Sequence, residues 1–569
     1  MLFFLPSKFF KKFQKSVVDF PALLYSLHCM STTQIKGTMN MTEDSPYKLM
    51  VKFALPILLS QIFQQLYNTA DTLIVGRFLG TNALAAVSSS GPLIFLLSSF
   101  FIGTAQGAGI VISRYFGAND NEKVSRAIHN NVAFGLLAGL FLTIIGVGLT
   151  PFLLKWMNTD ESVLPQAIEY FRFYFIGSLG MVMYNVYSST MNALGDSKRP
   201  LAYLVFSSVT NIILDIVFIR VFRFGVWSAA VATVISQFAS VILCLLHLCR
   251  KGHIYTISFK KIRFYSDMFK EMIRYGLPGG VQNSVIGFAN VIVQSQINSF
   301  GAFATAAYGS YIKIEGFAFL PINCFCMAIT TFVSQNLGAG EKARAKIGAR
   351  FGVSASVILA ELIGVAIFFS APYLIGLFDS TAEVIANGTT EARICSLFYG
   401  LLALSHSIAA VCRGAGKAFV PMAVMLSVWC VFRISYIVTI MHFVHELRFI
   451  FWAYPITWGI SSVIYILYYY LSHWQNGFDN KLATAPENAE ITDILEAPSQ
   501  TAETSQVTVP AEPKPAFLSP IEDSLDVPQD FAEGTAPADN DIVPADEEPA
   551  QAEGTAPDDE EPAQPEEDK

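Results

Sequence analysis

Between residues 50 and 475 the chain runs through twelve stretches dominated by Leu, Ile, Val, Phe and Ala, each near or above the ~20 apolar residues that carry a helix across a bilayer. In the first half these spans are read at 51–76, 86–112, 128–154, 165–192, 200–222 and 226–249. In the second half they fall at 272–299, 306–335, 350–376, 390–412, 419–442 and 449–473. Lipid offers no hydrogen bonds to exposed backbone, so a span must satisfy its own N–H and C=O groups as a helix or close into a barrel. Segments this long are not barrel strands. The predicted class is an all-α polytopic membrane protein with twelve transmembrane helices.

Charge fixes the orientation of those helices. The formal net charge of −8 hides a strong imbalance, because the chain from Pro486 onward carries 24 Asp and Glu against 2 Lys, leaving about +14 on everything before it. Lys and Arg gather in alternate loops: Arg114, Lys123 and Arg126; Lys198 and Arg199; a run from Arg250 to Arg274; Lys342, Arg344, Lys346 and Arg350; Arg413 and Lys417. The opposite loops hold Arg77, Lys155, Arg220, Arg223 and Arg448 beside acids such as Asp160, Glu161, Asp379 and Glu383. A bias of 18 against 5 places the first set inside and both termini in the cytoplasm, as a multi-pass protein of the plasma or inner membrane.

The ends differ from the body. Residues 1–48 form an arm in which Lys8, Lys11, Lys12 and Lys15 alternate with Phe, suited to an anionic membrane surface but without the order of a signal peptide. A start at Met39 or Met41 is the alternative reading of that arm. Residues 476–569 are rich in Pro, Ala, Asp and Glu and repeat Ala-Glu-Gly-Thr-Ala-Pro at 532–537 and 552–557, a composition that cannot bury enough apolar area to offset ordering entropy. This tail is expected to be disordered. The eight cysteines are scattered, with only Cys324 and Cys326 close together, and read as small buried hydrophobes.

The body is an internal repeat. Gly80 and Gly301 lie 301 − 80 = 221 residues apart, and so do Gly117 and Gly338, Pro151 and Pro372, Arg172 and Arg393, Gly195 and Gly416, and Pro200 and Pro421. Leu55-Pro56 faces Leu277-Pro278 one residue out of step. Six spans per half is an even number, so both halves enter the membrane in the same direction, a parallel repeat. The predicted architecture is therefore two six-helix lobes, residues 49–250 and 272–475, joined by a linker at 251–271 and enclosing a central cavity.

Asp71 in span 1 and Asp215 in span 5 are carboxylates inside apolar segments, where an ionisable group costs roughly 3 kcal/mol on insertion scales and is usually functional. Asn211 stacks one turn before Asp215, and Thr233 enters from span 6 at similar depth. Two carboxylates with amide and hydroxyl oxygens suit a hard cation such as Na⁺ or a shared proton. Gln64, Tyr67 and Asp71 lie at i, i+3 and i+7, a polar stripe on one face of span 1, and Pro56 in the same span permits a hinge. The second half does not repeat this set: at the same offset Asn211, Asp215 and Thr233 become Phe432, Tyr436 and Tyr454. Glu315 and Glu361 are the other mid-span acids. Each offers a secondary site or an ion pair with Arg393 or Arg433.

No phosphate-binding loop, His-Glu-x-x-His or nucleophile elbow occurs in a suitable setting, so the chain reads as neither an enzyme nor an ATP-driven pump. An ion gradient is the expected energy source, with no cofactor, no metal beyond Na⁺, no nucleic-acid partner and a monomeric state.

Residues 50–475 resemble the multidrug and toxic compound extrusion family, the MATE transporters, through Leu-Pro-Ile at 55–57, Asn-Thr-Ala-Asp-Thr-Leu-Ile-Val-Gly-Arg at 68–77, Ala-Leu-Gly-Asp-Ser-Lys-Arg-Pro at 193–200, Asn-Ile-Ile-Leu-Asp at 211–215 and Arg-Gly-Ala-Gly-Lys at 413–417. The Asn and Asp of span 5 look most like the DinF-like branch. The resemblance implies an antiporter that exports amphipathic, often cationic, compounds in exchange for Na⁺ or H⁺. It implies a first-lobe coupling site at Asp71, Asn211, Asp215 and Thr233, with Gln64, Tyr67 and Asn185 in a neighbouring polar network. The acid that another branch carries on span 10 has no counterpart between Cys395 and Cys412. The alternatives are a lipid-linked oligosaccharide flippase, for which extra spans and a cationic central cavity are not obvious, and a non-transporting membrane scaffold.

Overall fold

A computed structural model describes residues 39–156, 161, 163–250 and 255–478. All of them belong to one unit, Met1–Ala489, and the remaining unit, Glu490–Lys569, lies outside the described residues, as do most of the N-terminal arm and nearly all of the acidic tail. Among the described residues every regular element is helical. The first half contains α1 (Pro46–Leu79), α2 (Thr81–Gly117), α3 (Asn121–Trp156), α4 (Leu164–Ile176), α5 (Ser178–Ala193), α6 (Lys198–Asp215) and α7 (Trp227–Leu248). The second contains α8 (Ser266–Asn298), α9 (Ala302–Gly338), α10 (Lys342–Gly376), α11 (Ala382–Ser396), α12 (Tyr399–Gly414), α13 (Phe419–Val424), α14 (Arg433–Phe443) and α15 (Leu447–Leu471).

Joined end to end, these pieces form twelve rods at the expected places. Spans 4 and 10 are each broken, into α4 and α5 and into α11 and α12, the latter pair bent by 51°. The bend on span 10 exposes the N–H of Gly400, which donates to Glu361 Oε2 at 2.8 Å, so Glu361 serves the backbone of that break. Spans 5 and 11 each pass through π-helix, at Ile216–Val221 and Met425–Phe432. The linker is shorter than 251–271, because α8 already begins at Ser266.

The repeat extends to backbone conformation. Left-handed residues occur at Gly80 and Gly301 between the first two rods of each lobe, at Asn119 and Gly340 between the next two, and at Gly195 and Gly416 after the broken span. Each pair shares the 221-residue offset, so both halves close the same turns with residues that tolerate positive φ.

The lobes meet most tightly at the end that carries the loop cations. There is no hydrophobic gain in joining helices already in lipid, so close association there depends on small residues that let backbones touch. A Cβ on Gly107 would stand 2.1 Å from Gly276 Cα, and one on Gly103 would stand 2.6 Å from Gly280 N, so α2 and α8 cross backbone to backbone. Further along, a Cβ on Gly117 would fall 1.9 Å from the Gln335 carbonyl and one on Gly338 would fall 2.0 Å from the Arg114 carbonyl. The ends of α2 and α9 thus cross at a symmetric pair of glycines.

Polar bonds lock this crossing. Arg114 Nη1 pairs with Glu271 Oε1 at 2.6 Å, both side chains almost fully buried, and Tyr115 donates to the other carboxylate oxygen at 2.8 Å. At the offset position Gln335 donates to Ala193 O at 2.8 Å and accepts from Met41 N at 3.0 Å. Both ends of the described chain join in. Met39 N donates to Gly195 O at 3.3 Å, while Phe478 packs against Gly416 and beneath the Arg114 guanidinium, 4.4 Å from its ring centre. Residues 39–41, inside the expected arm, are thus part of the folded body.

Gly117→Ala is expected to lower the melting temperature of the detergent-solubilised protein by several degrees, since overpacking against backbone costs about 1–3 kcal/mol. Gly148, where an added Cβ would meet nothing within 4 Å, serves as the control. Gly148→Ala should leave the melt unchanged or raise it slightly. Equal melts for the two variants would show that the crossing is slack.

Candidate functional site

The two intramembrane carboxylates of the first lobe face one another. Asp71 comes from the C-terminal third of α1 and Asp215 from the last residue of α6, and their carboxyl groups lie within hydrogen-bonding reach. Asp71 is 8% exposed and Asp215 is 0% exposed. Neither oxygen of Asp215 has a protein donor, and Oδ1 of Asp71 has none. At ~4 Å, two ionised carboxylates repel by about 4 kcal/mol at an effective dielectric near 20. Such a pair is stable only if a proton or a cation sits between its members.

The neighbours fit that need in part. Asn211, one turn before Asp215, donates to Thr233 Oγ1 at 3.3 Å and leaves its own Oδ1 unpartnered. Its free carbonyl is therefore on the same helix as the carboxylate and oriented by α7. α6 becomes π-helix immediately after Asp215, and π turns recur at functional sites. Tyr67 lies within reach of Gln64 and within electrostatic range of Asp71, as the i, i+3, i+7 stripe requires. Pro56 is buried in α1, which stays helical through it, and Ser60 caps the Pro56 carbonyl at 2.9 Å.

Sequence reasoning misses the aromatic wall of this site. Tyr170 and Tyr174 of α4 stack with ring centres 6.2 Å apart, and Tyr170 lies within electrostatic range of both carboxylates. Tyr174 is in hydrogen-bonding reach of Gln237. Only their spacing of four residues signals a shared face. Asn185 sits elsewhere: its amide donates to Met181 O at 2.9 Å, and it lines a cavity between the lobes rather than the carboxylate pair.

The MatE family model matches this chain twice, over residues 56–217 and 278–439, one copy per lobe and together more than half of the sequence. The chain belongs to the MATE family of membrane transporters. It is 29% identical over 443 residues to the probable multidrug resistance protein YoeA of Bacillus subtilis, covering 76% of this chain and 95% of that one. The probable multidrug resistance protein NorM of Thermotoga maritima is 27% identical over 403 residues, covering 67% and 83%. A crystal structure of MATE in the bent conformation superposes with a TM-score of 0.73 at 22% identity, over 79% of this chain and all of that one.

Within the MATE architecture the second lobe carries a different buried cluster. Glu315 of α9 lies within hydrogen-bonding reach of Tyr311 and within electrostatic range of Arg433, the partner proposed from sequence. Arg393, the other proposed partner, instead points to Phe368 O at 3.4 Å. Arg433 donates to Thr457 Oγ1 at 2.8 Å, and hydroxyl pairs Tyr308–Tyr454 at 2.8 Å and Tyr311–Tyr399 at 3.2 Å line the same region. Glu391 of α11 completes the cluster. It is 0% exposed with both oxygens unpartnered, and it occupies the position that Tyr170 holds in the first lobe (391 − 170 = 221). This acid of span 10 lies one turn before the stretch from Cys395 to Cys412, which itself contains none.

Asp215→Asn is expected to fold and to melt at or above the temperature of the native protein, because it removes a buried charge that has no donor. A melt lower by more than about 5 °C, about 2 kcal/mol or more for a protein this size, would make Asp215 a structural acceptor instead.

Proposed function

We propose that this MATE protein is a secondary active multidrug efflux transporter, an antiporter that exports amphipathic compounds by alternating access in exchange for Na⁺ or H⁺. The observation that carries the reading is the pair of facing, buried carboxylates Asp71 and Asp215, of which Asp71 Oδ1 and both oxygens of Asp215 have no protein donor. The relatives named as multidrug resistance proteins support the efflux part. Asn211 beside Asp215 is what supports a place in the DinF-like branch.

The coupling ion binds between the two carboxylates and removes their repulsion. With the ion bound, α1 packs against α6 as a neutral unit. Without it, mutual repulsion favours an arrangement in which α1 moves, and Pro56, which lacks a backbone donor, is where that helix bends. Asn211 and Thr233 supply neutral oxygens, and Tyr67 and Tyr170 close the site from the side. The ion contributes charge only. Export follows because each lobe arrangement prefers either the ion or the drug.

The loop cations support an orientation with the glycine crossing and both termini in the cytoplasm. Cysteines introduced at Asn121 and Glu341, on a background cleared of native cysteines, are expected to escape an impermeant thiol reagent in intact cells, whereas those at Glu161 and Glu383 react. The reverse pattern would overturn the orientation.

Asp215→Asn and Asp71→Asn are each expected to reduce gradient-driven dye efflux at least tenfold at equal membrane abundance. The double variant should be little worse than either, since groups that act as one unit are strongly non-additive. Tyr436→Phe, at the offset position in the second lobe, should retain efflux. Near-native efflux by Asp215→Asn would transfer the coupling role to Glu315 and Glu391. The preference for cationic compounds that the family resemblance implies finds no counter-charge in the inter-lobe cavity, whose described lining holds neither Asp nor Glu.

A further inference from the structure

A cavity of about 140 Å³ lies between the lobes above the glycine crossing, lined by α2, α5, α8, α9 and α12. Its polar lining consists of amides and hydroxyls, among them Gln106, Asn185, Asn192, Asn323 and Thr330, and one charged side chain, Arg413. Behind the lining residue Tyr275, whose hydroxyl donates to it at 3.5 Å, lies the carboxylate of Glu271, which is already engaged by Arg114 at 2.6 Å and Tyr115 at 2.8 Å.

Arg413 is not the loop cation that its sequence position suggests. It lies inside the last turn of α12 and is half-buried, within electrostatic range of His406, one to two turns further into the membrane, and of Cys326 on α9. It makes no ion pair with any described carboxylate. A guanidinium this close to the end of a span ordinarily turns outward to water. One that lines an internal cavity without a counter-ion marks a site for a ligand, because an intramembrane charge is otherwise held by a partner. The repeat sharpens this point: the equivalent residue on the opposite wall is Asn192 (413 − 192 = 221), so the cavity is charged on one side only.

Resting on the antiporter reading above, we infer that the cavity floor is an anion subsite, and that the compounds this protein binds best are amphipathic anions whose carboxylate or sulfonate pairs with Arg413. The guanidinium offers a planar fork to a carboxylate, an arrangement a lysine does not reproduce. The amides and hydroxyls around it accept neutral polar groups of varied shape. Ile102, Ile110 and Met327 supply the apolar contact for the rest of the molecule. A cation placed there meets an unpaired like charge in a site partly withdrawn from water.

The test uses two xanthene dyes of similar shape and opposite charge, anionic fluorescein and cationic rhodamine 123, titrated by fluorescence anisotropy against the purified full-length protein in detergent. Native protein is expected to bind fluorescein at least tenfold more tightly than rhodamine 123. Arg413→Gln should lose at least tenfold in fluorescein affinity with less than a twofold change for rhodamine 123, and Arg413→Lys should fall between. Asn192→Asp keeps the arginine and adds a carboxylate across the same cavity, so it should weaken fluorescein and strengthen rhodamine 123 even if the Arg413 variants fail to fold.

Tighter binding of rhodamine 123 by native protein, or equal losses for both dyes in Arg413→Gln, would overturn the subsite. Equal effects on both dyes in Asn192→Asp would do the same. Binding in detergent needs no ion gradient, so a failed antiporter reading would appear separately, as fluorescein that binds but is not driven out of vesicles by either gradient.

Discussion

Two buried carboxylates held face to face, with Asp71 Oδ1 and both oxygens of Asp215 lacking a protein donor, set the terms for the rest of this molecule. Repulsion between them, about 4 kcal/mol if both are ionised at ~4 Å, approaches the net stability of many domains. A fold can keep such a pair only by admitting an ion or by letting the helices that carry it move apart. Here the carriers are α1, which contains Pro56, and α6, which gives way to π-helix directly after Asp215. Both are elements that can change shape without exposing many backbone groups. The rest of the first lobe, with Asn211 tied to Thr233 and the Tyr170–Tyr174 stack behind the pair, holds the site's remaining walls in place.

Movement at the site has consequences only if the far end of the molecule resists it. That resistance comes from backbone contact rather than from apolar burial, since lipid already solvates apolar side chains. The glycine pairs Gly107–Gly276 and Gly117–Gly338 bring helices of opposite lobes together, and the buried Arg114–Glu271 pair and the Gln335 bridge to Ala193 fasten them. Residues 39–41 and Phe478 add contacts at each side of the crossing, at positions related by the repeat. The inter-lobe cavity lies just above this closure, which is why its floor is built from residues at the ends of α2, α5 and α12.

Much of this is legible in the sequence. Twelve apolar runs, a parallel repeat at a 221-residue offset and the joint position of Asp71 and Asp215 follow from hydrophobic length, glycine spacing and helical periodicity. What the sequence does not show depends on packing between elements. Glu391 and Tyr170 occupy the same place in the two lobes, but a Tyr and a Glu at equivalent positions do not look alike among the acids of a chain. Glu361 resembles a candidate site until the break in span 10 gives it the Gly400 N–H to satisfy. Arg413 reads as a loop cation because it lies one residue past the apolar run, and only the turn of α12 shows that it lines the cavity. Asn185 reads as part of the carboxylate network by residue type, yet its helix face belongs to the cavity.

The central claim is that an ion held between Asp71 and Asp215 exchanges for the exported compound. Purified protein in weakly buffered detergent, monitored with a pH-sensitive dye and loaded in parallel with radioactive Na⁺, reports that exchange directly when an exported compound is added. The account predicts saturable release of one of the two ions, in step with compound binding, and no release from protein carrying both Asp71→Asn and Asp215→Asn. Compound binding that leaves both bound proton and bound Na⁺ unchanged in the native protein would contradict it.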